Sequence, residues 1–245
     1  MPFLLLEATN ITQYYSDRKI LAFKTFRIYS GDRIGVIGAN GSGKTTLLNI
    51  LSGELAPDIG FIKHYCDLSF IHQFGSSEVK AGAKEQKEFG IANKTDAAKM
   101  SGGEQTRLKI AEAFSSRNPL VFADEPTSNL DLSGIELFCQ KLNQVESFVL
   151  ISHDRNVLDR LCNKMIEVKD GTLHVYEGGF QFYKEQSELE EQQRWFAYRQ
   201  YSNEKQREDQ AGSEARGITQ ELQQIAVRDG HDRKDFSHVR PTISR

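Results

Sequence analysis

The sequence predicts an α/β domain built on a mostly parallel sheet, followed by a long charged helix. Three observations carry this. Apolar runs of strand length alternate with helical segments over residues 1 to about 178. A glycine-rich loop, "GANGSGKTT", joins one such strand to one such helix. After Gly178 and Gly179 the character changes: residues 180–210 hold no proline or glycine and are dense in Glu, Gln, Lys and Arg.

Taken in order, "FLLLEATNITQYY" and "KILAFKTFRIYSGD" read as strands with a turn at Ser16-Asp17. "DRIGVIG" is a buried strand that runs directly into the glycine loop, and "KTTLLNILSG" is a helix closed by Gly53. "GFIKHYCDLSFIHQ" supplies two short strands. "EQTRLKIAEAF" is helical, with Leu108 and Ala111 on one face. "PLVFADE" and "SFVLISHD" are strands apolar throughout, each followed by a helical segment, which implies burial on both faces of a parallel sheet. "KMIEVKDGTLHVYEG" is a hairpin turning on Asp170-Gly171. The N-terminal strands add an antiparallel piece. Beyond residue 180, Phe182, Leu189 and Phe196 recur every seven residues as a narrow stripe, a pattern that Gly212 and Gly217 weaken. The expected division is therefore 1–178, a helical segment 179–228, and a tail 229–245 without fixed structure.

Composition excludes several classes. With 38% hydrophobic and 27% charged residues among 245, the chain fits a soluble globular protein rather than a disordered one. No apolar run approaches the roughly 20 residues of a membrane span, and the N-terminus lacks the pattern of a signal peptide. Cys66, Cys139 and Cys162 are scattered and form no disulfide framework, so the expected location is the reducing cytoplasm. A net charge of −3 does not mark the whole chain as a nucleic-acid binder.

Gly38 to Thr46 fit the phosphate-binding pattern GxxxxGK[ST] in full. Gly38, Asn40, Gly41, Ser42 and Gly43 form a loop whose backbone N–H groups can turn onto a phosphate chain. Lys44 adds a full charge there, and Thr45 and Thr46 open the helix. The Thr45 hydroxyl is a candidate Mg²⁺ ligand, with Asp124 at the end of "LVFAD" as a second. Glu125 suits a general base that orients water. His153 ends the neighbouring strand and can reach the same edge, and Gln73 can bridge Mg²⁺ and the water. Ser101, Gly102 and Gly103 begin a helix with exposed backbone; by themselves they read as a serine cap and a glycine turn.

These motifs, in this order and spacing, resemble the nucleotide-binding domain of an ATP-binding-cassette protein across about residues 3–178. That resemblance implies an ABC-type ATPase fold with a mixed sheet flanked by helices and a shortened helical subdomain. It implies ATP and Mg²⁺ as ligands, and Tyr15 as the aromatic that stacks on adenine. In such domains the "SGGEQ" element, here Ser101 to Glu104, contacts the γ-phosphate held by a second cassette, and the "SNLD" loop ending at Asp131 communicates across the pair. Two cassettes pack head to tail around two ATPs.

Only 27 residues, 74–100, separate Gln73 from Ser101. With "SGGEQTRLKIAEAF" and the exit "YEGGFQFYKEQ", this looks most like the ABC-F proteins, and among them the antibiotic-resistance branch that protects ribosomes from macrolides, lincosamides and streptogramins. The resemblance implies the ribosome as partner, at 23S rRNA and the P-site tRNA, and no membrane insertion. Family members carry two cassettes, so a second cassette is expected; "HVRPTISR" does not read as a natural linker and points to a truncated or frameshifted first half. The ATPase subunit of a membrane transporter is the alternative, which the short 74–100 segment and the charged helix argue against. A fragment that binds ATP without appreciable turnover is a third reading.

Overall fold

The computed structural model describes residues 2–73, 82–91 and 100–228, with residues 83, 208–215 and 223–228 described by their backbone alone. The expectations for 229–245 and for much of 74–100 lie outside the described residues. The chain divides into two compact units, Met1–Gln186 and Ser187–Arg245.

The first unit opens with β1 (Leu4–Tyr15) and β2 (Arg18–Tyr29), an antiparallel pair turning at Ser16 and Asp17. Strand β3 (Arg33–Ile37) leads into helix α1 (Lys44–Ser52). The two short strands part company: β4 (Ile59–His64) joins the antiparallel sheet, in the order β2-β1-β4, while β5 (Leu68–Ile71) enters the larger sheet. Then follow α2 (Ala83–Glu88), α3 (Gly102–Ser115), β6 (Leu120–Asp124), α4 (Leu132–Leu142), β7 (Ser147–Ile151), α5 (Arg155–Leu161), β8 (Lys164–Lys169) and β9 (Thr172–Tyr176). The six-stranded sheet has the order β5-β6-β7-β3-β8-β9. Its first five strands are parallel and β9 returns antiparallel through the Asp170-Gly171 turn, where both residues have positive φ.

Every residue of β6 and β7 is buried, and the period-2 alternation of a strand deals them to two cores. Val121, Ala123, Phe148 and Leu150 face one core with Leu108, Ile110 and Phe138 from α3 and α4. Leu120, Phe122, Val149 and Ile151 face the other, with Leu47, Leu48 and Ile50 of α1 and with Leu6, Ala8 and Ile28 of the antiparallel sheet. A sheet covered in this way needs strands that are apolar throughout, which is why these read as unbroken hydrophobic runs. Its carboxyl edge collects the loops after β5, β6, β7 and β3. In open α/β sheets that edge is where ligands bind, at the point where strand order reverses. Here the reversal is at β3, flanked by β7 and β8.

Helix α6 (Phe180–Arg228) begins within the first unit, where Phe180 and Tyr183 pack against the core and Tyr183 meets Tyr176 edge-on. In the second unit it runs without a break through Gly212 and Gly217. Each glycine costs about 1 kcal/mol against alanine, and the good helix formers around them outweigh it. Leu189, Trp195, Phe196, Tyr198 and Tyr201 are exposed along it, and Arg199 lies 4.1 Å over the Trp195 ring. Among the described residues, no helix is long and apolar enough to cross a membrane.

Candidate functional site

The glycine loop is shaped by contacts that no side chain would tolerate. A Cβ at Gly38 would lie 2.5 Å from the Val168 carbonyl oxygen and 2.7 Å from Ser42 Oγ. Gly43, at φ 103, caps α1 and would drive a Cβ to 2.8 Å from Ile20 Cγ2. Lys44 Nζ donates to the Gly38 and Ala39 carbonyls at 3.0 and 3.1 Å, holding its charge inside the turn. Ser42 Oγ is buried with no hydrogen-bond partner. Such an atom is costly to leave unpaired, and it suits a loop made to meet a polar ligand.

Asp124 ends β6 and is 3% exposed. Burial raises its carboxyl above the ordinary value, while the Thr45 hydroxyl donating to it and the charges of Lys44 and His72 oppose the rise. A hydroxyl and a carboxylate side by side are hard oxygen donors of the kind Mg²⁺ takes. Glu125 follows in a strained conformation, φ 47, which costs a side-chain-bearing residue of order 1–3 kcal/mol. Its N–H bonds the Ile151 carbonyl at 3.0 Å, and its Oε2 accepts the His153 N–H at 3.3 Å. Oε1 lies 3.2 Å from His153 Nε2 without a satisfied hydrogen bond. Burial also lifts the Glu125 carboxyl, against the pull of His153 and Lys44. Thus β3, β6 and β7 bring Lys44, Thr45, Asp124, Glu125 and His153 to one edge. Gln73 stands two residues after the end of β5, at the same edge.

A second cluster surrounds α3. Ser101 caps it in a reciprocal box: Oγ accepts the Glu104 N–H at 3.4 Å, and Glu104 Oε2 accepts the Ser101 N–H at 3.0 Å. Gly102 faces open space, and a Cβ at Gly103 would sit 2.8 Å from the Asn129 carbonyl oxygen. The helix therefore abuts the 128–131 loop. Replacing Ser101 by alanine is expected to cost about 1 kcal/mol, read as a lower urea midpoint with an unchanged slope; an unmoved midpoint would show that the cap contributes nothing.

Two residues that sequence reasoning passed over tie this helix down. Arg107 donates to Asp131 Oδ1 at 2.5 Å. Lys109 Nζ reaches the backbone carbonyls of His72 and Gln73 at 3.3 Å each, and burial lowers its pKa. Asp131, read from sequence as a ligand-side residue, is also the cap of α4, accepting from the Gly134 N–H and the Ser133 hydroxyl. Basic residues within a helix of polar composition were the available signal, but their partners lie 24 and 36 residues away. Tyr15 closes β1 half-exposed, its hydroxyl 3.4 Å from Thr46 Oγ1, so it stands beside the start of α1.

The family model described as ABC transporter matches residues 23–73 and 69–128. The ribosome protection protein VmlR of Bacillus subtilis (strain 168) is 28% identical over 200 residues, covering 78% of this chain and 37% of that protein. The energy-dependent translational throttle protein EttA of Escherichia coli (strain K12) is 30% identical over 210 residues, covering 74% and 38%. The chain thus spans well under half the length of these curated relatives. An ATP-binding cassette solved as a dimer in a post-hydrolysis state, bound to ADP and Pi, superposes with a TM-score of 0.61 at 20% identity, over 71% of this chain and 98% of that one. At that identity the likeness concerns the fold.

Proposed function

We propose that the chain is an ATP-hydrolysing cassette of the ATP-binding-cassette family that works on the ribosome; its match to the ABC transporter model and its similarity to VmlR and EttA support this reading. The observation that carries the catalytic half is the convergence of Lys44, Thr45, Asp124, Glu125 and His153 on one sheet edge. The loop N–H groups and Lys44 take the β- and γ-phosphates. Tyr15 stacks on the base. Thr45, Asp124 and Gln73 would hold Mg²⁺, which when bound neutralises phosphate charge. Glu125 orients the attacking water and accepts its proton; His153 holds Glu125 from its second oxygen and faces the γ-phosphate. The products are ADP and phosphate.

The capped start of α3 belongs to a different nucleotide. Ser101, Gly102, Gly103 and Glu104 grip the γ-phosphate of a partner cassette, with the Asp131 loop beside them. A second cassette or a second copy of this chain completes the site. ATP bridges the two halves, and loss of its γ-phosphate removes the interaction that favours closure. Residues 1–178 form the cassette and 179–228 the linker helix, which acts with 23S rRNA and the P-site tRNA region in the cytoplasm. Ribosome protection against an antibiotic is the finer reading; the names of VmlR and EttA share the ribosome or translation and differ in outcome.

Co-sedimentation tests the ribosomal half. The chain is expected to pellet with ribosomes in ATP and to stay in the supernatant in ADP. Absence from the ribosomal pellet in both nucleotides, with recovery in membranes beside a permease, would replace this reading with that of a transporter ATPase subunit.

A further inference from the structure

The end of β1 holds two adjacent tyrosines, Tyr14 and Tyr15, and only one can face the start of α1. Successive side chains of a strand point to opposite faces, and a slip of one residue exchanges them. The local pairing is irregular. Gln13 pairs with Leu21 but Tyr14 pairs with Lys19, so Ile20 is an extra residue on β2. Ile20 fills the space where Gly43 has no Cβ, which seats this bulge on the phosphate loop. On the other side, the last pair of the β1–β4 ladder is Thr12 with Ile59. Beyond that pair, among the described residues, the β4 ladder offers Tyr14 no partner on this side.

The side chain of Asp58 takes over there. Its Oδ2 accepts the Tyr14 N–H at 2.7 Å and the Gln13 Nε2–H at 2.9 Å, and Gln13 Nε2 also donates to the Tyr14 carbonyl at 3.0 Å. One carboxylate oxygen thus closes a ring around the Gln13–Tyr14 peptide. Hydrogen bonds to an ionised acceptor are about twice as strong as neutral ones. Gln13 is 5% exposed and its Oε1 has no partner, so this amide is held at the cost of an unmet acceptor.

We propose that Asp58 is a positioning residue: it fixes the register of the last two residues of β1 so that Tyr15, not Tyr14, stands beside the start of α1, and thereby sets affinity for the nucleoside part of a nucleoside triphosphate. The proposal rests on the reading of Tyr15 as the base-stacking aromatic. Triphosphate contacts belong to the loop from Gly38 to Thr46 and do not pass through Asp58.

The test compares two ligands by calorimetry on the full chain, ATP and inorganic tripolyphosphate. Asp58→Ala is expected to weaken ATP by about five- to tenfold, the lower part of the range for one base–aromatic stack, with tripolyphosphate unchanged. Asp58→Asn keeps an acceptor oxygen and should restore most of the ATP affinity. Tyr15→Ala should reproduce the loss, with no further loss in the double variant, and Tyr14→Ala should leave ATP binding intact. Equal weakening of both ligands by Asp58→Ala would reduce Asp58 to a general support of the loop and overturn the proposal. So would an unchanged ATP affinity in Asp58→Ala while Tyr15→Ala binds weakly, or a Tyr14→Ala loss as large as that of Tyr15→Ala. An unchanged affinity in Tyr15→Ala would instead sink the reading of Tyr15, and the proposal with it. The Tyr14 and Tyr15 comparison stands even where Asp58→Ala does not fold.

Discussion

Replacing Glu125 by glutamine is expected to lower ATP turnover at least about 100-fold while leaving ATP bound. A positioned general base contributes typically 10²–10⁴-fold, and glutamine has no basic oxygen at neutral pH. The change is close to isosteric. The amide oxygen can still accept the His153 N–H, and the backbone bond from residue 125 to the Ile151 carbonyl does not involve the side chain. Binding should survive because the loop and Lys44 are untouched. In the head-to-tail arrangement the variant should accumulate as an ATP-bound dimer, visible as a size increase on adding ATP. Turnover within tenfold of wild type would remove Glu125 from the catalytic role. A strictly monomeric variant in saturating ATP would remove the sandwich for this chain.

Replacing Lys44 by alanine should act on binding instead. Removing one partner of a charge-assisted contact costs 2–5 kcal/mol, and at the lower end that is a loss of roughly 30-fold in ATP affinity. The fold should persist, because α1 anchors through buried Thr46, Leu47, Leu48, Ile50 and Leu51, and Lys44 is outside that set. A titration of ATP paired with a thermal melt checks both halves. Unchanged affinity would mean that the loop N–H groups suffice. A melt that collapses would mean that Lys44 supports the Gly38–Ala39 turn more than the nucleotide.

The parts of this molecule legible in its sequence are those whose causes are local. The runs in β6 and β7, the loop from Gly38 to Thr46 and the Asp170-Gly171 hairpin each announce themselves within ten residues. The positions of Asp124, Glu125 and His153 follow from strand ends, since parallel neighbours bring their carboxyl termini to one edge. What escaped was long-range. Lys109 meets carbonyls 36 and 37 residues away, and Asp58 meets Tyr14 across 44. No periodicity encodes such pairs. The bulge at Ile20 was equally hidden, because a strand with one extra residue has the same composition as one without it. Gly212 and Gly217 weaken the seven-residue pattern without ending the helix expected over 179–228: their cost is real, yet a helix with enough good formers absorbs it.

Glu125 sits where a side chain strains the backbone and where burial opposes its charge. Both penalties fall on folding. With the general-base role proposed for Glu125, position 125 is a place where selection for stability and selection for turnover pull in opposite directions. A lineage that kept this cassette as an ATP-operated scaffold but ceased to need hydrolysis would gain by abandoning the glutamate, and glycine or asparagine would relieve the φ angle at once. On that proposed role, the residue found there is a record of whether chemistry, and not only nucleotide binding, is still being maintained.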